Sequence, residues 1–177
     1  MKQLIILLFS FALLMAFNNA TYADVLFGKF KKGSEPSGFR DIKWGTHFNK
    51  LKDMHKCELF AKINSTLCLR IGDNNSIGSA KLVFIKYAFF NNKFYQAWIR
   101  FIEEEDYYYL VSIMTDRYGI PFKVEDKMSL NSLWMGDNTD ITISYYKDKG
   151  YDGMMINSSI ILREMEKDRN KRADGDF

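Results

Sequence analysis

The chain opens with an apolar run from Leu4 to Phe17, broken only by Ser10, with Met1-Lys2 before it and Asn18-Asn19-Ala20-Thr21-Tyr22-Ala23 after it. Those fourteen residues fall short of the ~20 that a helix needs to cross a ~30 Å hydrocarbon core. A positive start, a short apolar stretch and small residues before a cut predict a secretory signal peptide over residues 1–23, cleaved after Ala23. Apolar periodicity is then absent over residues 24–38, where Lys29, Lys31, Lys32, Ser34, Pro36 and Ser37 mix with glycines, a composition that reads as a flexible leader.

A single domain is expected over residues 39–165. Phe39, Ile42 and Trp44 mark a short opening strand, and Thr46 reads as the N-cap of a helix burying Phe48, Leu51 and Met54. From Lys81 to Phe101, two β-rich runs flank Asn91-Asn92, a pair that accepts the positive φ of a tight hairpin turn. A two-residue loop sets Ala88 opposite Tyr95, Lys86 opposite Ala97, Phe84 opposite Ile99 and Leu82 opposite Phe101, a face that is apolar except for Lys86. This is the predicted core face. The other face then carries Val83, Ile85, Tyr87, Phe89, Phe94, Gln96, Trp98 and Arg100.

The acidic group Glu103 to Asp106 suits a helix N-terminus, where backbone N–H groups lack partners. Tyr107, Leu110, Val111, Met114 and Tyr118 follow at helical spacing, and Gly119 with Pro121 stops the helix. Strands around Leu133 to Met135, Ile141 to Tyr145 and Met154 to Ile156 are separated by turns at Gly136-Asp137-Asn138 and Lys147 to Gly150. The chain ends in a helix that begins with Ile160, Ile161, Leu162 and Met165 and gives way to a charged, frayed tail over residues 166–177. The sum is an α+β fold, an antiparallel sheet of hairpins and a meander with helices packed on one face.

Composition narrows the function classes. Hydrophobic residues at 47% and aromatics at 16% describe a packed domain and not a disordered chain. A formal charge of +3 gives no footprint for nucleic acid, and an exported chain does not meet it. No membrane anchor is expected to survive cleavage, and no cysteine near Ala23 could carry a lipid.

Cys57 and Cys68 are the only two cysteines, an even count that in an oxidising compartment favours a disulfide. Strands at 58–60 and 65–67 would set them across a hairpin within bridging distance. A redox-active pair is the alternative, although the C-x-x-C spacing is absent.

Candidate chemistry is sparse. His47 and His55 would lie two turns apart on the predicted helix, with no third ligand at metal spacing. The run Asp73 to Gly78 lacks the terminal glutamate of a calcium loop, since position 84 is Phe, and no glycine pattern cradles a phosphate. No cofactor is expected. Glu103, Glu104, Glu105, Asp106, Asp137 and Asp140 could pair for acid/base hydrolysis, or simply cap and solvate turns.

Gly38-Phe39-Arg40-Asp41-Ile42-Lys43-Trp44-Gly45-Thr46, Ile71-Gly72-Asp73, Tyr118-Gly119 and Trp134-Met135-Gly136 resemble a family of small exported domains of Gram-negative bacteria. The resemblance covers about residues 38–160. It implies an envelope location and an α+β domain, and it implies no reaction. A looser similarity, "WGT…F…L" and "YG-P…W", points to envelope domains of the β-lactamase-inhibitor-protein type of fold, which bind other proteins.

The expected function is therefore binding of an envelope protein in the periplasm, with carboxylate-based hydrolysis of an envelope substrate as the alternative. Tyr87, Phe89, Phe94, Trp98 and Arg100 are the candidate partner-binding face, because aromatics and arginine are enriched in interface cores. The same residues would form a second core layer if helices or the tail covered them.

Overall fold

The computed structural model describes residues 28–148 and 152–175, with side chains to Arg172. The expected signal peptide, its cleavage point and residues 24–27 lie outside the described residues.

The expected α+β architecture is present. Eight strands form one antiparallel sheet: β3 (Met54–Phe60), β4 (Ser65–Arg70), β7 (Phe84–Phe90), β8 (Lys93–Arg100), β9 (Phe122–Glu125), β10 (Ser129–Met135), β11 (Thr139–Tyr146) and β12 (Gly153–Ser158). Their order across the sheet is β3-β4-β7-β8-β12-β11-β10-β9. Two minimal hairpins, β1 (Gly38–Phe39) with β2 (Ile42–Lys43) and β5 (Ser76–Ile77) with β6 (Ala80–Lys81), stand beside it. Helix α1 (Glu104–Tyr118) and helix α2 (Ser159–Gly175) complete the fold.

The two helices serve different apolar clusters. Helix α1 forms as its pattern predicts, with Glu104, Glu105 and Asp106 in the first turn and Gly119 ending it at φ 103°. It buries Tyr107, Leu110, Val111 and Met114 with Ile141, Ile143, Met154 and Ile156 of β11 and β12 in the main core. The same core takes Phe39 and Ile42, with Trp44 stacked on Phe94 at 5.1 Å and Phe48 edge-on to Phe89 at 5.2 Å. Helix α2 packs Ile161, Leu162 and Met165 on Ala88, Phe90 and Tyr95. Ala88 alternates with Tyr87 and Phe89 of the main core, so this second cluster lies on the opposite face of the sheet, and the helices cover both faces where the sequence pattern placed them on one.

Three expectations need correction. The helix from Thr46 is a 3-10 turn at Phe48–Lys50, and Met54 begins β3 instead. Its backbone is engaged elsewhere: Gly45 N donates to Phe94 O and Phe48 N to Asn92 O, tying the segment to the β7–β8 hairpin, and Thr46 O, the carbonyl that would accept the first helical bond, accepts from Phe94 N instead. The apolar residues at 48 and 51 still pack against the core, so their spacing reported burial correctly and conformation wrongly.

The leader is the second correction. Gly28 N donates to Ile120 O, Gly28 O accepts from Met135 N, and Lys31 N donates to Tyr118 O. Glu35 accepts from the backbone N–H of Asn138 at 2.6 Å and of Thr139 at 2.8 Å. Pro36 O accepts from the Thr139 hydroxyl at 2.6 Å. Residues 28–36 are thus a strap across the α1 C-terminus and the β10–β11 turn. Phe30 packs edge-on against Tyr118 at 5.7 Å, but it is a single apolar contact among polar ones and leaves no periodicity to read. Gly28 is required in this strap, because its φ is 84° and a Cβ there would lie 2.8 Å from the Phe122 Cβ.

Third, the charged tail continues α2 to Gly175. Arg172 pairs with Asp168 one turn back and reaches the Lys62 carbonyl, while Arg169 faces Glu166 at 3.8 Å, contacts that support a polar helix end.

Candidate functional site

The cysteine hairpin is as the sequence places it. Strands β3 and β4 flank a 3-10 turn at Ala61–Ile63, Asn64 takes a left-handed φ of 46°, and Cys57 is joined to Cys68. Cys68 is buried at 1% exposure, whereas Cys57 is exposed on the edge strand, where pairing shifts between His55 and Glu58.

The register of the Lys81 to Phe101 hairpin departs from expectation, and this decides the site. Phe90 opposes Lys93 and Phe89 opposes Phe94, as a two-residue loop requires, but Ala88 opposes Gln96. Tyr95 is the extra residue of a β-bulge, and every pair beyond it slips by one. Tyr87 therefore faces Ala97, Lys86 faces Trp98, Ile85 faces Ile99 and Phe84 faces Arg100. The bulge resets the alternation to the burial pattern: Phe94 enters the main core, Tyr95 enters the α2 cluster with its hydroxyl 3.3 Å from the Ser65 hydroxyl, and Ala97 and Ile99 then return to the main core.

The five residues of the candidate partner-binding face consequently do not share one face. Tyr87, Phe89 and Phe94 are core, exposed by 0%, 1% and 0%. Trp98 and Arg100 belong to the opposite face and are half-buried. Phe84 and Lys86, read from the sequence as core-facing, join them there. Lys86, the one charged side chain in the expected core face, was the signal that the register had slipped.

Two rows of directly opposed residues cross this open face. Phe84, Arg100, Gly153 and Ser144 form one row, and Lys86, Trp98, Met155 and Thr142 form the next. All eight are half-buried. Phe84 and Trp98 meet edge to face at 5.1 Å, and the Lys86 ammonium lies 5.3 Å from the Phe84 ring and 5.7 Å from the Trp98 ring, within cation–π range of both. Gly153 gives Trp98 its room, since a Cβ there would stand 3.2 Å from Trp98 Nε1 and 2.9 Å from the Ile99 carbonyl. Beside the aromatic pair, Gln96 Nε2 donates to Asn157 at 2.8 Å and the Ser144 hydroxyl to Asn131 at 2.7 Å.

The open face runs into a cleft of about 370 Å³ between the ends of β4 and β7, with Phe84 in its wall. Its walls are apolar at Leu69, Ile71 and Val83 and polar at His55, Arg70 and Asp73, and Ile71 and Val83 are exposed by 63% and 47%. Two ion-pair groups stiffen its rim. Arg40, held at φ 54°, pairs with Asp73, whose second oxygen accepts from the Tyr87 hydroxyl at 2.8 Å. Burial, reinforced by Asp73, pushes the Tyr87 phenol above its ordinary range. Arg70 bridges Asp41 and Asp53.

The hydrogen bond from Arg70 holds the Asp41 carboxyl down at about 2, below its ordinary 3.8. A depressed carboxylate contributes stability above its unfolded value and loses it as pH falls through the folded one. Replacing Asp41 with Asn is thus expected to lower stability at pH 6 and to make no difference near pH 2. Urea titrations of both proteins from pH 6 to pH 2 check this: a gap that stays constant over that range would remove Asp41 as its source.

The carboxylates considered for hydrolysis do not meet in this cleft. Asp106 accepts from the Lys81 backbone N–H at 2.9 Å, and Asp140 accepts from the Ser159 hydroxyl at 2.7 Å, its acidity weakened by burial. The described residues lining the cleft include one carboxylate, Asp73, already engaged by Arg40 and Tyr87. His47 and His55, expected two turns apart on one helix, stand on a loop and on β3, and His47 Nδ1 accepts from Asn49 N.

Compared with protein-family models, with curated sequences and with solved structures, the chain matches none. Among the described residues no helix is long and apolar enough to cross a membrane.

Proposed function

We propose that this protein is a non-enzymatic periplasmic domain that acts by binding another envelope protein, and that its binding surface is the open sheet face with the adjoining cleft. The observation that carries the reading is the half-exposed Phe84–Trp98 pair, with Lys86 over both rings and the cleft at its end. Solvent-accessible aromatic anchors such as Phe84 and Trp98 belong to the residue types enriched in interface cores, and tryptophan is among those that carry most of the binding energy. A cleft of this size takes one side chain or a small ligand. The leader-like first 23 residues and the Cys57–Cys68 bridge support export to an oxidising compartment.

The test is crosslinking in the native envelope. A photo-activatable residue at Ile71, exposed on the cleft, is expected to give a discrete protein adduct, while the same group at Tyr109, exposed on α1, gives none. Trp98→Ala should cut the Ile71 adduct about tenfold or more while the protein stays folded. Equal adducts at both positions, or an adduct indifferent to Trp98, would sink the proposal.

A further inference from the structure

The open face carries a cation without an anion. Among the described residues no carboxylate lies within ion-pairing distance of Lys86. The two rows that cross the face from Phe84 to Ser144 and from Lys86 to Thr142 contain no Asp or Glu. The ammonium is instead held between two aromatic rings, which fixes its position on the face without neutralising it.

Phe84 joins this cation to the cleft, whose wall is apolar at Leu69, Ile71 and Val83. The same ring lies in the cleft wall and stands 5.3 Å from Lys86 Nζ. An occupant that fills both must set an apolar group on one side of that ring and a negative charge on the other. In an extended peptide, side chains at i and i+2 project to one side about 7 Å apart, a separation that fits one aromatic ring between them.

Resting on the protein-binding reading above, we infer that the partner presents an extended segment with an apolar residue and an Asp or Glu two positions apart. The apolar side chain enters the cleft between Ile71 and Val83, and the carboxylate meets Lys86 above the Phe84–Trp98 pair. Charge complementarity supplies orientation as well as affinity, because the reversed segment would place its carboxylate against the apolar wall.

Synthetic decapeptides test this directly. One carries Leu-Ser-Glu, a second Leu-Ser-Lys and a third Ala-Ser-Glu in otherwise identical Gly/Ser sequence, and binding to the purified protein is measured by calorimetry. The Leu-Ser-Glu peptide should bind about tenfold or more tightly than either of the others. Lys86→Glu should invert the preference toward the lysine peptide, a result that mere loss of folding cannot produce. Val83→Lys, on an exposed position, should weaken the leucine peptide and leave the alanine peptide unchanged. Equal binding of the acidic and basic peptides overturns the inference, as does failure of all three. So does Lys86-dependent binding of phosphatidylglycerol vesicles without peptide binding, which assigns the face to a lipid surface. If the Ile71 adduct forms while the peptides show no charge preference, this inference falls and the protein-binding reading stands. Loss of the adduct removes both.

Discussion

Phe94→Ala is expected to destabilise the protein by about 3–5 kcal/mol, the range for deleting a buried aromatic side chain. Phe94 has no exposed surface and packs on three rings at once: Trp44 at 5.1 Å, Phe89 at 5.7 Å and Tyr87 at 5.8 Å. Its removal leaves a void that those rings cannot close without leaving their rotamers. The N-terminal segment would also lose the stacking of Trp44, one of its apolar contacts with the sheet beside those of Phe39, Ile42 and Phe48. For a domain of this length each kcal/mol moves the melting midpoint by about 2–4 °C, so a drop on the order of 10 °C is expected. Trp98→Ala, on the half-exposed face, should cost no more than about 1–2 kcal/mol. Melting curves of the two variants side by side decide the assignment of faces: equal losses would mean that Trp98 is as deeply packed as Phe94.

The second large effect belongs to the disulfide. Chain-entropy arithmetic for a closed loop of about 12 residues gives ~2.8 kcal/mol, and the geography of the bridge says where the loss will be felt. Strand β3 lies at the edge of the sheet and pairs only with β4, and that pairing is interrupted between His55 and Glu58. With Cys57 and Cys68 both changed to Ser, urea unfolding should shift by roughly that amount. Amides of β3 should exchange with solvent before those of β7 and β8. The same midpoint in the presence and absence of a thiol reductant would show that the bridge contributes nothing.

What could be read in the sequence divides along a physical line. Residues whose role is to bury one face of a regular element announced it: Tyr107, Leu110, Val111 and Met114 at helical spacing lie in the core from the positions predicted for them. The cysteine hairpin, the β10–β11 turn and the final helix were legible for the same reason, as were the two strands around Asn91-Asn92. Two kinds of feature were not. The first is the bulge at Tyr95, because inserting one residue conserves composition and destroys only phase. Strands aromatic on both sides look alike in either register, and Lys86 alone betrayed the slip. The second is backbone pairing over long sequence distances. The loop from Gly45 to Phe48 is fixed by carbonyls and amides that every residue possesses, and the strap from Gly28 to Pro36 by such groups together with two isolated side chains, Phe30 and Glu35, that form no periodic pattern. The candidate site suffered most, since it sits on the residues beyond the bulge. Trp98 and Arg100 do lie on the half-exposed face, but their neighbours there are Phe84 and Lys86, not Tyr87, Phe89 and Phe94.

Sheet order carries a consequence for how the molecule assembles. Strands β3, β4, β7 and β8 form one antiparallel half and β9 to β12 the other, and the halves touch through a single seam, β8 against β12. Within each half, neighbours in the sheet are neighbours or near-neighbours in the chain, so loop closure there is inexpensive. The seam joins segments separated by α1 and three strands, the longest closure in the sheet, and such long-range pairings are intrinsically slow. Gly153 lies at its end, opposite Arg100 and against the Trp98 ring. The pairing with the longest loop to close is thus the one that sets Gly153 against Trp98, so the packing of that ring registers whether the two halves of the sheet have joined.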